Sequence, residues 1–231
     1  MHQLAQNGYS SLCKLIIKHV ENKNPADATG CAPLHIAASA SHLDICQLII
    51  EKIVDKNPAK NDGVTTLQLA AYHGHLEIFQ LIIEKIEDKN PANNDRVTPL
   101  HLAACFGHLD FCRLIVENIM NKNPANNDGA TPLHLAARIG RLDFCQLIVE
   151  NIVNNNPENN NGVTPLHNAV RYGHLDICRL MIVDKNPANN YEWTPLHVAA
   201  FNGHLDICRL IIENVDNINP VDDKGRTLKD L

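Results

Sequence analysis

The stretch TPLHLAACFGHLD, residues 98–110, carries the start and stop signals of one short helix and the start of a second. Thr98 is a good N-cap, and Pro99 suits the first helical position because its missing N–H would have no partner there anyway. Leu100 and the alanine pair of HLAA give this helix a small-residue face, which lets neighbouring helices approach closely. Gly107 is expected to end it, since a residue without a Cβ readily adopts the left-handed conformation that closes a helix.

A second helix is predicted in HLDFCRLIVENI, residues 108–119. Its apolar residues, among them Cys112 and Ile115, fall at helical spacing, and Asp110 lies near the positive N-terminal end. Asn123-Pro124 stops the helix because the residue before a proline disfavours the α region, and the polar NNDG that follows indicates a tight turn. One such unit exposes apolar surface that it cannot bury alone, so stacked neighbours must cover it.

The same pattern recurs along the chain every 33 residues, and such periodicity indicates a repeat architecture. Asn-Pro pairs keep this interval, with one interval of 30, at residues 24–25, 57–58, 90–91, 123–124, 156–157, 186–187 and 219–220. The histidine of PLH keeps it at His35, His101, His134, His167 and His197, with Gln68 in the remaining slot. A 33-residue unit with TPLHLAA and GHLD resembles the ankyrin repeat, and the resemblance covers nearly all of the chain in six full copies.

The resemblance implies an all-α ankyrin-repeat solenoid of stacked helix-turn-helix pairs joined by β-turn or hairpin loops. It also implies that the PLH histidines brace the turns by hydrogen bonds between neighbouring units. We expect residues 1–231 to form a single ankyrin-repeat domain with a degenerate first unit at 1–26, full repeats at 27–59, 60–92, 93–125, 126–158, 159–188 and 189–221, and a truncated last unit at 222–231.

Three departures from the family pattern carry structural expectations. Isoleucines such as Ile53 occupy the region where family members usually have a glycine, so we expect the second helix to run longer and end differently. The copy at 159–188 lacks three residues after RLMIV, which predicts a second helix shorter by almost one turn. Arg96 and Glu192 replace a turn glycine, which argues against a positive φ at that position in these two copies.

Composition argues against several classes of partner and site. The net charge is −6 without any run of Lys or Arg, so nucleic acid is not expected as the main partner. The sequence contains no run of about 18 apolar residues, so no membrane-spanning helix is expected. The start MHQLAQNGYS lacks the charged and apolar regions of a secretory signal. Cys112, Cys145 and Cys178 follow the repeat period rather than a disulfide framework. We therefore expect an intracellular, cytoplasmic protein, or one delivered into a host cytosol if it is an effector.

Histidine and cysteine side chains invite a metal or a catalytic hypothesis. His108 and Cys112, four residues apart, have a spacing that can chelate a metal ion. The same pair recurs in other units, however, and Phe79 occupies the cysteine slot in one of them, which is how a core position behaves. The PLH histidines repeat without a converging nucleophile or acid, and GxGxxG, GxxxxGK[ST], GxSxG and HExxH are all absent. We therefore expect no metal, no cofactor and no enzymatic activity.

Positions that differ between copies are candidates for partner recognition, because the recurring positions hold the stack together. These variable slots are the turn residues just before Thr and the pair between AA and GH, and they contain six of the ten aromatic residues. By resemblance they line the concave face, the usual ankyrin binding surface. The predicted partner-binding residues are Tyr72, His73, Phe106, Arg138, Ile139, Arg171, Tyr172, Tyr191, Glu192, Trp193, Phe201 and Asn202.

The stretch Tyr191-Glu192-Trp193 is the clearest case, because other copies have small or polar residues there and the only tryptophan rarely belongs on a turn. Alternatively, these aromatic residues merely shield the C-terminal end of the stack. We predict a non-catalytic protein–protein interaction module or scaffold; the alternative is a substrate-targeting domain of a larger multidomain enzyme or effector. We expect a monomer, although the apolar last helix at residues 204–215 offers an end-to-end contact.

Overall fold

The computed structural model describes residues 1–182, 187–218, 220–227 and 230, which form fourteen helices and no sheet beyond an isolated bridge between Ala59 and Thr65. The chain divides into two compact units, residues 1–119 and 120–231. Unit 1 contains α1 (His2–Gln6), α2 (Ser10–Ile16), α3 (Pro33–Ser39), α4 (Leu43–Ile50), α5 (Thr66–His73), α6 (Leu76–Ile83), α7 (Pro99–Phe106) and α8 (Leu109–Val116). Unit 2 contains α9 (Pro132–Ile139), α10 (Leu142–Val149), α11 (Pro165–Arg171), α12 (Leu175–Met181), α13 (Pro195–Phe201) and α14 (Leu205–Asn214).

Within each unit the first helices of successive repeats form one layer and the second helices form another. In unit 1, α3, α5 and α7 pack in sequence, as do α4, α6 and α8; in unit 2 the same holds for α9, α11 and α13 and for α10, α12 and α14. The alanine pairs of α3, α5, α7 and α9, such as Ala103 and Ala104, are completely buried and let these helices approach closely. The all-α repeat solenoid predicted from the sequence is therefore confirmed.

The second helices supply the larger side chains of the core. Phe79, Phe111 and Phe144 are buried there, as their spacing predicts. Cysteines of the 33-residue period are buried too, and burial raises the pKa of Cys46, of Cys145 and of Cys178 to about 12. These thiols therefore remain protonated and act as small apolar core groups.

Within each unit, PLH histidines link a helix start to the turn of the next repeat, as His35, His134 and His167 do. The Nδ1 atom of His167 accepts a hydrogen bond from the backbone N–H of Thr164 at 3.2 Å, and its Nε2–H donates to the Trp193 carbonyl at 3.0 Å. His134 makes the equivalent pair of bonds to the Thr131 N–H and the Val163 carbonyl. The bracing role that the family resemblance implies is thus confirmed at these histidines.

In the five Asn-Pro pairs at 24–25, 57–58, 90–91, 123–124 and 156–157, the asparagine caps a helix whose second residue lies ten positions further along the chain. The Asn90 Oδ1 atom accepts the Leu100 N–H at 3.0 Å, and the Asn156 Oδ1 atom accepts the Leu166 N–H at 3.1 Å. Leucine occupies the second helical position, whose N–H has no partner inside the helix. The asparagine therefore stabilises the start of the first helix, a role that its place before a proline did not predict.

Within each unit, a second set of asparagines joins the turns of successive repeats into a ladder. In unit 1 the Asn61 N–H donates to the Thr29 carbonyl at 3.0 Å, and the Asn61 Nδ2 atom donates to the Ala28 carbonyl at 2.9 Å. In unit 2 Asn160 makes the same two bonds to the turn before it. Neighbouring turns of the same unit are thereby fixed to each other by backbone and side-chain hydrogen bonds.

The expectation that Arg96 and Glu192 abandon the positive φ of the turn is wrong: their φ values are +58° and +57°. The hydrogen bonds of the turn enforce the conformation, since the Glu192 N–H donates to the Asn189 carbonyl and the Asn189 N–H donates to the Trp193 carbonyl, both at 2.9 Å. The hydrogen bond that joins the Glu192 turn to the next turn is longer than its equivalents. The ladder bond from the Asp223 N–H to the Tyr191 carbonyl is 3.4 Å long, against 3.0–3.1 Å for the ladder bonds at other turns.

Replacing Glu192 with glycine is expected to raise the free energy of unfolding by about 0.5–1 kcal/mol, because the left-handed cost for an L-residue exceeds the extra chain entropy of glycine. Urea unfolding followed by circular dichroism measures the change. Glu192→Ala is the matched control, because alanine removes the same carboxylate and keeps the unfavourable φ. Equal stability of the glycine and alanine variants would contradict strain at this turn.

Two expectations about the second helices are also corrected. They do not run longer: α4 ends at Ile50, before Ile53. The Lys56 ammonium group donates hydrogen bonds to the Ile50 carbonyl, at 2.6 Å, and to the Ile53 carbonyl. A lysine side chain therefore binds the carbonyl groups at and just beyond the C-terminal end of α4. The α12 helix has seven residues against eight in α10, so it is shorter by one residue and not by almost a turn. The rest of the deletion falls after Ile182, where residues 183–186 lie outside the described residues.

Candidate functional site

The turn at residues 189–193 holds the backbone of Trp193 in a fixed position. The Asn189 Oδ1 atom accepts hydrogen bonds from the N–H groups of Tyr191 and Trp193, at 2.9 and 3.1 Å. The Trp193 carbonyl in turn accepts the Nε2–H of His167 from the preceding repeat. The indole is therefore displayed from a braced turn and not from a loose loop.

Unit 2 has a groove of about 210 Å³ between its turns and the first helices α11 and α13. The rings of Trp193 and Phe201 meet edge to face on it, with centroids 5.4 Å apart and an interplanar angle of 66°. This unit-2 groove is lined by Val163, His167, Asn168, Arg171, Asn189, Trp193, Val198, Phe201 and Asn202. It is smaller than most drug-sized pockets, and its size suits one or two side chains of a protein partner.

The guanidinium of Arg226 lies 5.9 Å from the centroid of the Trp193 ring, within cation–π distance. Its charge is matched locally, because Arg226 also bonds Asp222 through Nη2 at 2.7 Å and Nε at 2.8 Å. Burial alone would raise the pKa of Asp222, but the hydrogen bonds and charge of Arg226 lower it to about 2. The ion pair therefore supports the tryptophan without adding net charge to it.

The structure places the predicted binding residues of unit 2 in two settings. Arg171, Trp193, Phe201 and Asn202 come together on the unit-2 groove. The others lie outside its lining, at the turn tip or at the ends of α9 and α11: Tyr191, Glu192, Arg138, Ile139 and Tyr172. The Phe201 side chain is 63% exposed, so a large part of its ring is accessible to solvent.

Unit 1 has a comparable groove of about 250 Å³, lined by Lys60, Val64, Gln68, Leu69, Tyr72, His73, Asn93, Val97 and Leu102. The Tyr72 ring packs edge to face on Phe106, with centroids 4.6 Å apart, and also contacts His73 at 4.9 Å. Burial, followed by the charge of His75, lowers the pKa of His73. The three predicted binding residues of unit 1 therefore form one cluster, in which Tyr72 and His73 line the unit-1 groove and Phe106 packs on Tyr72 from outside the lining.

Asn168 is a groove residue that the comparison of repeats did not single out. It occupies the slot after PLH, where the other full copies have Ile36, Leu69, Leu102, Leu135 and Val198. Its Nδ2 atom donates to the His134 carbonyl at 3.2 Å, and its side chain reaches the unit-2 groove. The signal was present in the sequence as HNAV in place of HLAA.

His167, the histidine that lines the unit-2 groove, is held neutral and is engaged by the backbone. Burial lowers the pKa of His167 to about 4, against a smaller opposing effect of its hydrogen bond to Trp193. The neutral ring uses both nitrogens in backbone hydrogen bonds, so neither is available to a substrate. Across the described residues, no three His, Cys, Asp or Glu side chains are grouped closely enough to hold a metal ion.

Comparison with known proteins identifies the repeats. A family model described as ankyrin repeats, three copies to a match, fits residues 1–94, 81–159 and 140–222. A search of curated proteins finds no match. None of the helices in the described part of the chain is long and apolar enough to cross a membrane. The matches extend over residues 1–222, and with the helix pairs and braced turns described above they show that the chain belongs to the ankyrin-repeat family.

Proposed function

We propose that this protein is a non-catalytic interaction module that binds a partner protein through its turn tips and the ends of its first helices. Ankyrin repeats are generally protein–protein interaction modules. The observation that carries the proposal is that four of the six aromatic residues of the variable slots form two ring pairs, Tyr72 with Phe106 at the unit-1 groove and Trp193 with Phe201 on the unit-2 groove. Tyrosine and tryptophan are enriched among the residues that dominate binding energy at interfaces.

The strained turn at Glu192 supports the same proposal. A glycine there, as at Gly162 in the preceding repeat, would remove the cost of a positive φ. Strained residues persist only where the surrounding structure holds them in place, and they are found most often at ligand-binding and active sites. The neighbouring Tyr191 side chain is 62% exposed, so the costly turn displays an aromatic group to solvent.

Rigidity of the turns supports binding by a preformed surface. The asparagine ladder and the histidine bonds fix both groove walls before any partner arrives. Little conformational entropy is then lost when the turn residues make contacts, which favours affinity.

The setting of the cysteines bears on where the protein works. All eight are free, and five of them are buried. Unpaired cysteines are typical of a reducing compartment, so we propose that the protein works in the cytoplasm of the cell that makes it or of a host cell. We further propose that it acts as a monomer.

The proposal is tested by affinity capture with quantitative mass spectrometry on variants of each groove. Trp193→Ala/Phe201→Ala removes the rings of the unit-2 groove, and Tyr72→Ala/Phe106→Ala removes those of the unit-1 groove. We expect at least one double variant to lose specific partners by about thirtyfold, the equivalent of one interface hot spot. The melting temperature should fall by only a few degrees, because these rings lie mostly outside the core.

The matched control is Val54→Ala/Val153→Ala, because both valines are fully exposed apolar residues outside the variable slots. This control should retain every partner of the native chain. If both groove variants remain folded and retain the same partners as the control, the grooves are not the binding site and the proposal is wrong.

A further inference from the structure

The unit-2 groove combines an apolar wall with a single positive charge. Of its lining residues only Arg171 is ionised at neutral pH, since burial keeps His167 neutral. Val198 on the floor and the rings of Trp193 and Phe201 supply the apolar surface. A ligand that matched this lining would present an apolar side chain and a negative charge close together.

Arg171 has no carboxylate partner within ion-pair distance among the described residues. Three other arginines of unit 2 do have one: Arg179 pairs with Asp176, Arg209 with Asp206 and Arg226 with Asp222. The Arg171 guanidinium lies instead over the ring of its neighbour Tyr172, 6.0 Å from the ring centroid. Its five N–H donors therefore remain available to an incoming carboxylate.

The nearby acidic residues do not neutralise this charge. Asp222 is engaged by Arg226, and Glu192 lies at the turn tip, outside the groove lining. Arg138 occupies the position equivalent to Arg171 at the end of α9, which packs against α11, and it too has no carboxylate partner in the described part of the chain. The positive character therefore extends from the groove to the neighbouring repeat, although the whole chain carries a net charge of −6.

Asn168 adds a polar group to the apolar floor. Its Nδ2 atom already donates to the His134 carbonyl, and no hydrogen bond of its Oδ1 atom is formed with the described residues. An amide oxygen in this position accepts a hydrogen bond, and a peptide N–H is the commonest donor that a protein partner offers. The groove thus has an acceptor for the partner's backbone beside the cation for its side chain.

We propose that the unit-2 groove binds an acidic peptide segment of a partner protein, with an apolar side chain anchored between Trp193 and Phe201 and a neighbouring Asp or Glu paired with Arg171. This inference rests on the proposed function and specifies the partner's chemistry at one site. A second acidic residue of the segment would be attracted by the positive charge of Arg138. Bidentate pairing of guanidinium with carboxylate fixes the register of the segment as well as its charge.

The unit-1 groove provides an internal contrast. Its lining contains the cation Lys60, but that ammonium group is already paired with Asp62 at 3.2 Å. Tyr72, which packs edge to face on Phe106, supplies a similar aromatic wall. Peptides bound by the unit-1 groove should therefore share the apolar anchor and lack the acidic preference.

The experiment is a selection from a phage-displayed library of random twelve-residue peptides against the native chain, followed by affinity measurements with fluorescein-labelled copies of the enriched peptides. We expect a class of peptides with Asp or Glu next to Leu, Phe or Trp, whose binding is lost in Trp193→Ala. Arg171→Glu should weaken these acidic peptides by about thirtyfold or more, since removing one member of a desolvated charge pair is costly. Exchanging the peptide's acid for lysine should restore binding to Arg171→Glu, and circular dichroism checks that this variant is folded.

Three results of this experiment would contradict the inference. Trp193-dependent peptides without an acidic bias, or with affinity unchanged by Arg171→Glu, would overturn the acidic-ligand inference while leaving the proposed binding function in place. Acidic peptides that bind equally well to Trp193→Ala would also overturn it, because their binding would not use the groove. If no enriched peptide depends on either Trp193 or Tyr72, both the inference and the proposed function fail.

Discussion

Replacing His167 with alanine is expected to lower the free energy of unfolding by about 3 kcal/mol. The ring is buried, and its two nitrogens satisfy the N–H of Thr164 and the carbonyl of Trp193. Alanine leaves both backbone groups without these partners and opens a cavity between two repeats. Urea unfolding monitored by the fluorescence of the single tryptophan, Trp193, reports on this part of unit 2.

The chain itself provides the matched control, because Gln68 occupies the same slot in another repeat. The Gln68 Oε1 atom accepts the Thr65 N–H at 2.9 Å, and its Nε2 atom donates to the Val97 carbonyl at 2.7 Å. His167→Gln should therefore keep both hydrogen bonds and cost less than about 1 kcal/mol. If glutamine and alanine destabilise the protein equally, the bracing bonds do not account for the stability of this turn.

Acidification from pH 7 to pH 4 is expected to reduce stability, with His167 alone contributing about 3 kcal/mol. Its pKa is about 4 in the folded chain and 6.5 ordinarily, so the unfolded chain binds a proton first as the pH falls. The stabilising contribution is complete above pH 6.5 and is lost as the pH falls through 4. The direct physical cause is burial, together with an Nδ1 atom that must stay unprotonated to accept the Thr164 N–H.

Urea unfolding of the native chain and of His167→Gln at several pH values between 7 and 4 measures this contribution. Burial also lowers the pKa of His35 and of His134, so the glutamine variant should keep part of the acid sensitivity and lose the share of His167. The Asp222 carboxyl has a pKa of about 2, so its stabilising contribution is lost mainly below pH 4, outside the range of this measurement. Parallel stability curves for the two proteins would contradict the assignment to His167.

The repeat fold follows from the sequence because its signals are local and recur. Thr98, Pro99 and Gly107 mark a helix by their own conformational preferences, and a period of 33 residues multiplies that evidence. The errors arose where hydrogen bonds within a turn or at a helix end override the conformational preference of a single residue. Arg96 keeps a positive φ because the turn around it is closed by its own hydrogen bonds, and α4 ends where the Lys56 ammonium group reaches its last carbonyls.

The candidate site follows from the sequence in outline only. Comparing copies singled out Trp193 and Phe201, but it could not separate them from Tyr191, which lies outside the groove. The contacts between variable residues depend on the side-chain directions in two neighbouring repeats. The sequence pattern of a single repeat carries no information about those directions. Asn168 was missed for the opposite reason, because the slot otherwise looks like recurring core.

The central claim is that the grooves contact a partner protein, and site-specific photo-crosslinking in the cells that make the protein tests it most directly. A benzophenone amino acid in place of Phe201 or of Tyr72 should form covalent adducts with a specific protein, identified by mass spectrometry. The same probe in place of Val153, which is fully exposed and outside the variable slots, should give none of these adducts. Identical adducts from all three positions, or adducts from position 153 alone, would contradict recognition through the grooves.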